Sequence, residues 1–131
     1  GTAFITDAGY YMNLPDLDFI PGAAVMTRVI SHPAKGVFTT DLGYKAIASD
    51  PAGQRGYIVG LEDAVPIIHS EEHWAFRLED ESRIPAIGTC LYVIPTHICP
   101  TTALYPEILV AKDGQVADRW QVTARNRRIT Y

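Results

Sequence analysis

The chain has 131 residues, 47% of them hydrophobic, and a formal net charge of −4. This length suits one domain, spanning residues 1–131, with a single hydrophobic core. The acidic balance argues against nonspecific nucleic-acid binding, which requires a basic face. No apolar run is long enough to span a membrane, and the N-terminus does not resemble a secretion signal.

The chain has two cysteines, Cys90 and Cys99. In a domain without a secretion signal we expect two free thiols, a reducing compartment and a cytoplasmic location. Cys90 lies in a run of apolar and β-branched residues, and this surrounding predicts a buried strand cysteine.

The hydrophobic period is mostly two, which predicts a mainly β fold, a small barrel or a sandwich, with one or two short helices. The predicted strands are 24–30, 36–40, 55–60, 65–70, 74–78, 88–94, 107–112 and 115–123. Single helical turns are predicted at 10–14 and 42–48, and residues 16–22 are predicted to form a loop. A further helix would begin at Thr101, as its cap, and extend to Tyr105. Asp113-Gly114 predicts a tight hairpin.

The segment 93–102 contains a histidine and a cysteine two residues apart, between Pro95 and Pro100. If this segment is extended, residues i and i+2 share a face, and His97 and Cys99 could bind one ion. Imidazole and thiolate together suit Zn²⁺ better than Mg²⁺ or Ca²⁺. The two prolines lower the entropy cost of holding both ligands. Taken alone, the pattern is also typical of an ordinary buried strand end.

Five sequence elements in a fixed order extend the pattern over most of the chain. They are Thr27-Arg28-Val29-Ile30-Ser31 with Pro33; Asp41-Leu42-Gly43-Tyr44-Lys45-Ala46 with Ser49-Asp50; Gly60-Leu61 with Glu71-Glu72-His73; Pro95-Thr96-His97-Ile98-Cys99-Pro100-Thr101; and Asp113-Gly114 with Trp120 and Ala124-Arg125. Together they resemble the C-terminal domain of the D-serine dehydratase and D-threonine aldolase family.

The resemblance implies a parent enzyme that is a homodimer and carries pyridoxal phosphate on a lysine of an N-terminal α/β barrel. None of the three lysines of this chain, Lys35, Lys45 and Lys112, matches that lysine. The chain also starts without a methionine. We therefore expect a separate C-terminal domain that requires the barrel domain for activity.

By the same resemblance, His97 and Cys99 are the two protein ligands of a zinc or manganese ion that takes the β-hydroxyl of a D-amino acid. Two reactions are open. The ion can make hydroxide a leaving group, which gives a keto acid and ammonia, or it can acidify the hydroxyl for retro-aldol cleavage. The thiolate resembles the zinc-dependent dehydratases, because the aldolases tend to carry an aspartate there. Substrate-side or indirect roles are predicted for Asp41, Tyr44, Lys45 and His73.

Two other classes of function compete with this prediction. A thiol hydrolase would use Cys99 activated by His97, but it needs a third group to orient the imidazole. It also needs an oxyanion hole, and no glycine follows Cys99 directly. The second alternative is a non-catalytic β-barrel that binds zinc or a partner protein.

Overall fold

The computed structural model describes residues 2–50 and 52–130. It has 35% strand and 13% helix, which confirms a mainly β fold. In the described residues the strands β1 to β8 are Val25–Ala34, Val37–Thr40, Gly56–Ile58, Val65–His69, Trp74–Arg77, Cys90–Pro95, Glu107–Lys112 and Gln115–Gln121. The helices are α1, Ala8–Asn13, and α2, Ile98–Thr102, and short 3-10 turns lie at Glu81–Arg83 and Thr123–Arg125. None of these helices is long and apolar enough to cross a membrane.

Strands β1 to β6 form one antiparallel sheet in the order β3-β6-β1-β2-β5-β4, which curls into a half barrel. The register brings the start of β3 beside the end of β6, where Gly56 pairs with Pro95. It also brings the start of β5 beside the ends of β2 and β4, where Trp74 pairs with both Thr40 and His69. These strand ends lie at one end of the sheet. We call this the site end. The segment after β2, the turn between β4 and β5, and helix α2 after β6 all start there.

The inner face of the sheet is covered by apolar side chains that alternate along the strands. In β1, Thr27 and Val29 are buried while Arg28 and Ile30 are exposed, as the period of two predicts. Three aromatic rings form the centre of the core. Phe76 stacks on Phe38 with ring centroids 5.5 Å apart, and Trp74 lies 4.6 Å from Phe76. Such offset and tilted arrangements favour aromatic pairs beyond their buried area.

Strands β7 and β8 form a separate two-stranded ribbon. Asp113 and Gly114 have φ values of 52° and 75°, which confirms the predicted tight hairpin. Every residue of β8 is exposed, including Trp120. An isolated two-stranded ribbon is marginally stable in water, and the exposed side chains of Leu109, Val116 and Trp120 give this ribbon apolar surface suited to packing against another body.

Two local predictions are wrong. Helix α2 ends at Thr102 and its N-cap is His97, so Thr101 lies inside the helix and is not its cap. The reason is a remote acceptor, since the Asp7 carboxylate binds the N–H of Ile98 and starts the helix earlier. Cys90 is exposed, not buried, because it pairs with the outward-facing Arg28 across β1 and β6.

Candidate metal centre

The sheet register brings the sequence-predicted site residues to the site end. Asp41, Tyr44 and Lys45 lie in the segment after β2, His73 directly precedes β5, and His97 and Cys99 follow β6. The side chains nevertheless have different surroundings, and they do not form one cluster. Within residues 2–50 and 52–130, no group of three or more His, Cys, Asp and Glu side chains could hold a metal ion.

His97 is the N-cap residue of α2, but its ring makes no capping hydrogen bond. That task falls to Asp7, whose Oδ2 accepts from the N–H of Ile98 at 2.9 Å. The His97 ring turns instead toward Asp50, with Nδ1 and Oδ2 3.2 Å apart. Because an ionised carboxylate can only accept, this contact favours the tautomer protonated at Nδ1 and leaves the lone pair of Nε2 available for a metal.

Cys99 lies in the first turn of α2 and is exposed. Its Sγ is 3.2 Å from Oγ1 of Thr2. The condition for a shared strand face is not met, because β6 ends at Pro95 and Cys99 lies in α2, whereas His97 keeps an extended backbone, with φ −134° and ψ 101°. The described contacts include no His97–Cys99 hydrogen bond, which a thiol hydrolase would require.

The chemistry of the donors fits a metal ion. An imidazole nitrogen and a thiol sulfur both reach the solvent at the start of one helix, and both are normal zinc ligands. A closed structural zinc site takes four protein ligands, and the described residues offer no such set. The pair therefore fits an open site in which water or substrate completes the coordination.

Asp41 has a structural task. Its Oδ1 accepts hydrogen bonds from the Thr27 hydroxyl and the Arg28 N–H, both at 2.7 Å. Burial raises the pKa of Asp41, but the hydrogen bonds from Thr27 and from the backbone, together with the charge of Arg28, outweigh burial, and the pKa lies below its usual value. A carboxylate engaged in this way ties the segment after β2 to β1.

Lys45 lies between two carboxylates, with Nζ 2.9 Å from Glu71 and 2.8 Å from Glu72. Hydrogen bonds to Glu71 and then Glu72 raise the pKa of Lys45, so its amine stays protonated. The neighbouring Tyr44 is partly exposed and contacts the ring of His69 edge-on, with centroids 6.1 Å apart. Lys45 is thus a fixed surface cation and offers no free base.

His73 and His69 have separate environments. His73 lines an open apolar groove of about 410 Å³ on the outer face of the sheet, and neither His97 nor Cys99 lines it. His69 packs on Trp74 with centroids 4.7 Å apart, and its Nε2 is buried without a hydrogen-bond partner in the described residues. Burial, and then the charge of Arg55, lower the pKa of His69.

Sequence reasoning missed Asp7 and Asp50 as parts of this centre. Asp50 occurs in one of the family-like elements, but its spacing from His97 carries no signal. Asp7 lies in a segment without any recognisable motif. Both contacts depend on the tertiary fold, because the partners are 47 and 91 residues apart in the sequence.

A family model described as "Putative serine dehydratase domain" matches residues 22–111, more than half of the chain. The chain belongs to this family. This confirms the resemblance inferred from the five sequence elements.

Several relatives of the domain are known. An uncharacterized protein of Mycobacterium tuberculosis is 33% identical over 115 residues, which are 86% of each chain. D-threonine aldolase from Arthrobacter sp is 30% identical over 130 residues, covering 95% of this chain but 33% of the enzyme. The crystal structure of D-threonine aldolase from Filomicrobium marinum superposes with a TM-score of 0.85 at 25% identity, over 95% of this chain and 35% of that one. The chain thus spans about a third of these aldolases and most of the mycobacterial relative.

Proposed function

We propose that this domain supplies the metal ligands His97 and Cys99 to a pyridoxal-phosphate-dependent lyase that acts on D-β-hydroxy amino acids. One observation carries the proposal. Asp50 occupies Nδ1 of His97 and leaves Nε2 available, and the exposed thiol of Cys99 follows two residues later, in the first turn of α2. A carboxylate on the second nitrogen is the usual accompaniment of a metal-binding histidine.

Each side chain has a defined task in this proposal. A bound Zn²⁺, or Mn²⁺, supplies Lewis acidity to the β-hydroxyl of the substrate. His97 and Cys99 would hold the ion, and water and substrate would complete its coordination. Lys45 is protonated and paired, so it does not act as a base. The lysine that carries the cofactor belongs to a separate barrel domain, and the parent enzyme is a homodimer.

The names of the relatives support the substrate class. They include D-threonine aldolase, 3-hydroxy-D-aspartate aldolase at 27% identity, and D-threo-3-hydroxyaspartate dehydratase from Delftia sp. at 25% identity and a TM-score of 0.71. Structures of D-threo-3-hydroxyaspartate dehydratase exist for a histidine-to-alanine variant, and for a metal-free variant with a cysteine two positions later replaced by alanine. His97 and Cys99 have the same spacing. Of the two reactions, we favour dehydration over retro-aldol cleavage, because Cys99 supplies a thiolate ligand.

Zinc binding by the chain itself tests the ligand assignment. We expect His97→Ala and Cys99→Ala each to weaken zinc binding strongly in competition with a chromophoric chelator. The matched controls, His73→Ala and Cys90→Ala, remove an exposed imidazole and an exposed thiol elsewhere and should bind zinc like the unchanged chain. Equal affinity in all four variants would refute the assignment.

The reaction is tested on the complete enzyme, with the barrel domain, pyridoxal phosphate and zinc or manganese. With D-serine or D-threonine, keto acid and ammonia would identify a dehydratase. Glycine and an aldehyde would identify an aldolase and overturn the argument from the Cys99 thiolate. The Cys99→Asp variant is informative, because a harder ligand should shift the preferred metal from zinc toward manganese.

A second candidate is a non-catalytic β domain that binds zinc or a partner protein. The mycobacterial relative favours it, since 115 matched residues make up 86% of that chain, which therefore has no room for a barrel domain. Trp120 and Leu109 on the exposed ribbon provide apolar contact surface. Zinc binding without any activity beside a barrel domain would favour this candidate.

A further inference from the structure

We propose that Asp50 is a positioning residue that fixes the tautomer and orientation of His97, and that the buried hydroxyl of Thr101 holds Asp50 in place. The inference rests on the proposed metal function of His97. It concerns residues that are far apart in the sequence and that no motif connects.

The His97 ring has no task within the fold that would account for its contact with Asp50. Asp7 accepts the N–H of Ile98 at the start of α2, and the His97 ring makes no capping hydrogen bond. Asp50 and His97 are also too exposed for their pairing to stabilise the fold strongly, with side-chain exposures of 63% and 36%. A carboxylate that orients a ring without stabilising the fold is better explained by the chemistry at the other ring nitrogen.

Thr101 connects the two partners through one side-chain oxygen. The hydroxyl, which belongs to a residue only 2% exposed, donates to the carbonyl of His97 at 2.8 Å. The same oxygen accepts the N–H of Ala48 at 3.2 Å, two residues before Asp50. Because one hydroxyl binds both the His97 carbonyl and the N–H of Ala48, it fixes the backbone at His97 relative to the segment that carries Asp50.

A second hydrogen bond supports the same segment. The hydroxyl of Tyr105 donates to the carbonyl of Ala46 at 2.7 Å. The segment from Ala46 to Ala48 is thus bound at two points by the residues of and just after α2. This double attachment explains how an exposed aspartate on a connecting segment keeps a defined place beside His97.

The expected consequence for His97 is specific. With the carboxylate at Nδ1, the neutral ring carries its proton on Nδ1, and Nε2 presents its lone pair to a metal. Without the carboxylate, both tautomers become accessible, and a metal must select the competent one. Losing such a partner typically weakens metal affinity by about 10–100-fold.

Two measurements on the full chain test the proposal. The first is ¹⁵N-edited NMR of the metal-free protein at alkaline pH, which reports the tautomer of His97 and needs no metal. The second is zinc affinity by chelator competition. We expect Asp50→Ala and Thr101→Val to lose the Nδ1–H tautomer and to bind zinc about 10–100-fold more weakly. Thr101→Ser keeps the hydroxyl and should restore both readouts.

The controls separate positioning from folding and from the metal proposal. Asp63→Ala removes an exposed carboxylate that pairs with Arg83, at the opposite end of the sheet, and should change neither readout. Because Asp50 is exposed, its variants fold even if Thr101→Val does not. A His97 tautomer protonated at Nε2, or an unchanged tautomer and zinc affinity in Asp50→Ala, would overturn the inference. If His97→Ala leaves zinc binding intact, the proposal that His97 is a metal ligand fails. The effect of Asp50→Ala on the His97 tautomer, measured by NMR, then tests the positioning role of Asp50 independently of the metal.

Discussion

Replacing Asp7 is expected to destabilise the fold strongly, although no sequence motif marks this residue. This carboxylate is only 2% exposed and accepts two backbone hydrogen bonds. Oδ1 accepts from the N–H of Tyr10 at 3.0 Å and caps α1, and Oδ2 accepts from the N–H of Ile98 at 2.9 Å at the start of α2. One side chain therefore joins the N-terminal helix to the helix that presents His97.

The two hydrogen bonds differ in cost when they are removed. The N–H of Tyr10 lies near the surface and can bind water after Asp7→Ala, so its loss resembles that of an ordinary cap, about 1 kcal/mol. The N–H of Ile98 is buried and stays unsatisfied, which costs about 2–3 kcal/mol. We expect a total loss of about 3–4 kcal/mol in the free energy of unfolding, measured by urea denaturation, with an unchanged dependence on urea concentration.

Asp7→Asn and Asp18→Ala complete the experiment. The amide of asparagine keeps one acceptor oxygen, so Asp7→Asn should lose about half as much stability as Asp7→Ala. Asp18 is an exposed aspartate nearby in the sequence, and its replacement should change the free energy of unfolding by less than about 0.5 kcal/mol. A loss below about 1 kcal/mol in Asp7→Ala would show that the two contacts are not maintained in solution, and the reasoning would fail.

Two further substitutions test the site end of the sheet. A Cβ at Gly43 would overlap the backbone of Glu71, so Gly43→Ala should cost more than about 2 kcal/mol, whereas Gly22→Ala, with only ordinary contacts, should be nearly neutral by the same denaturation assay. Burial lowers the pKa of His69 below its ordinary value of 6.5, so its ring is protonated less readily in the folded chain than in the unfolded chain. The free energy of unfolding should therefore decrease as the pH falls below about 6.5. His69→Phe should flatten that decline, and an equal decline in both proteins would exclude His69 as its source.

The strands were predictable because their signals are local. Each of the eight predicted strands overlaps an observed one, and β1 shows why, since alternate side chains such as Thr27 and Val29 face the core along its first half. The hairpin at Asp113-Gly114 was equally accessible, because its positive φ values depend on two adjacent residues. Period and turn chemistry are properties of a few neighbouring residues, and the sequence displays them directly.

The face of a strand and the start of a short helix were not predictable in the same way. Cys90 and Val93 belong to one strand, but only the fold determines that Val93 enters the core and Cys90 stays exposed. Helix α2 starts at Ile98 because Asp7, 91 residues earlier, accepts its N–H. Since a single aspartate in an irregular segment has no periodic signature, its role appears only in three dimensions.

The candidate metal centre combines both kinds of information. His97 and Cys99 are two residues apart, so the sequence alone was enough to propose them as ligands. The residues proposed to orient His97 are remote in the sequence. Asp50 is 47 residues away, on a segment whose backbone binds Thr101 at Ala48 and Tyr105 at Ala46. A chain that kept the His-x-Cys spacing but lost Asp50 and Thr101 would still match the motif. We expect such a chain to bind zinc more weakly, because its imidazole would no longer be held in the metal-binding tautomer.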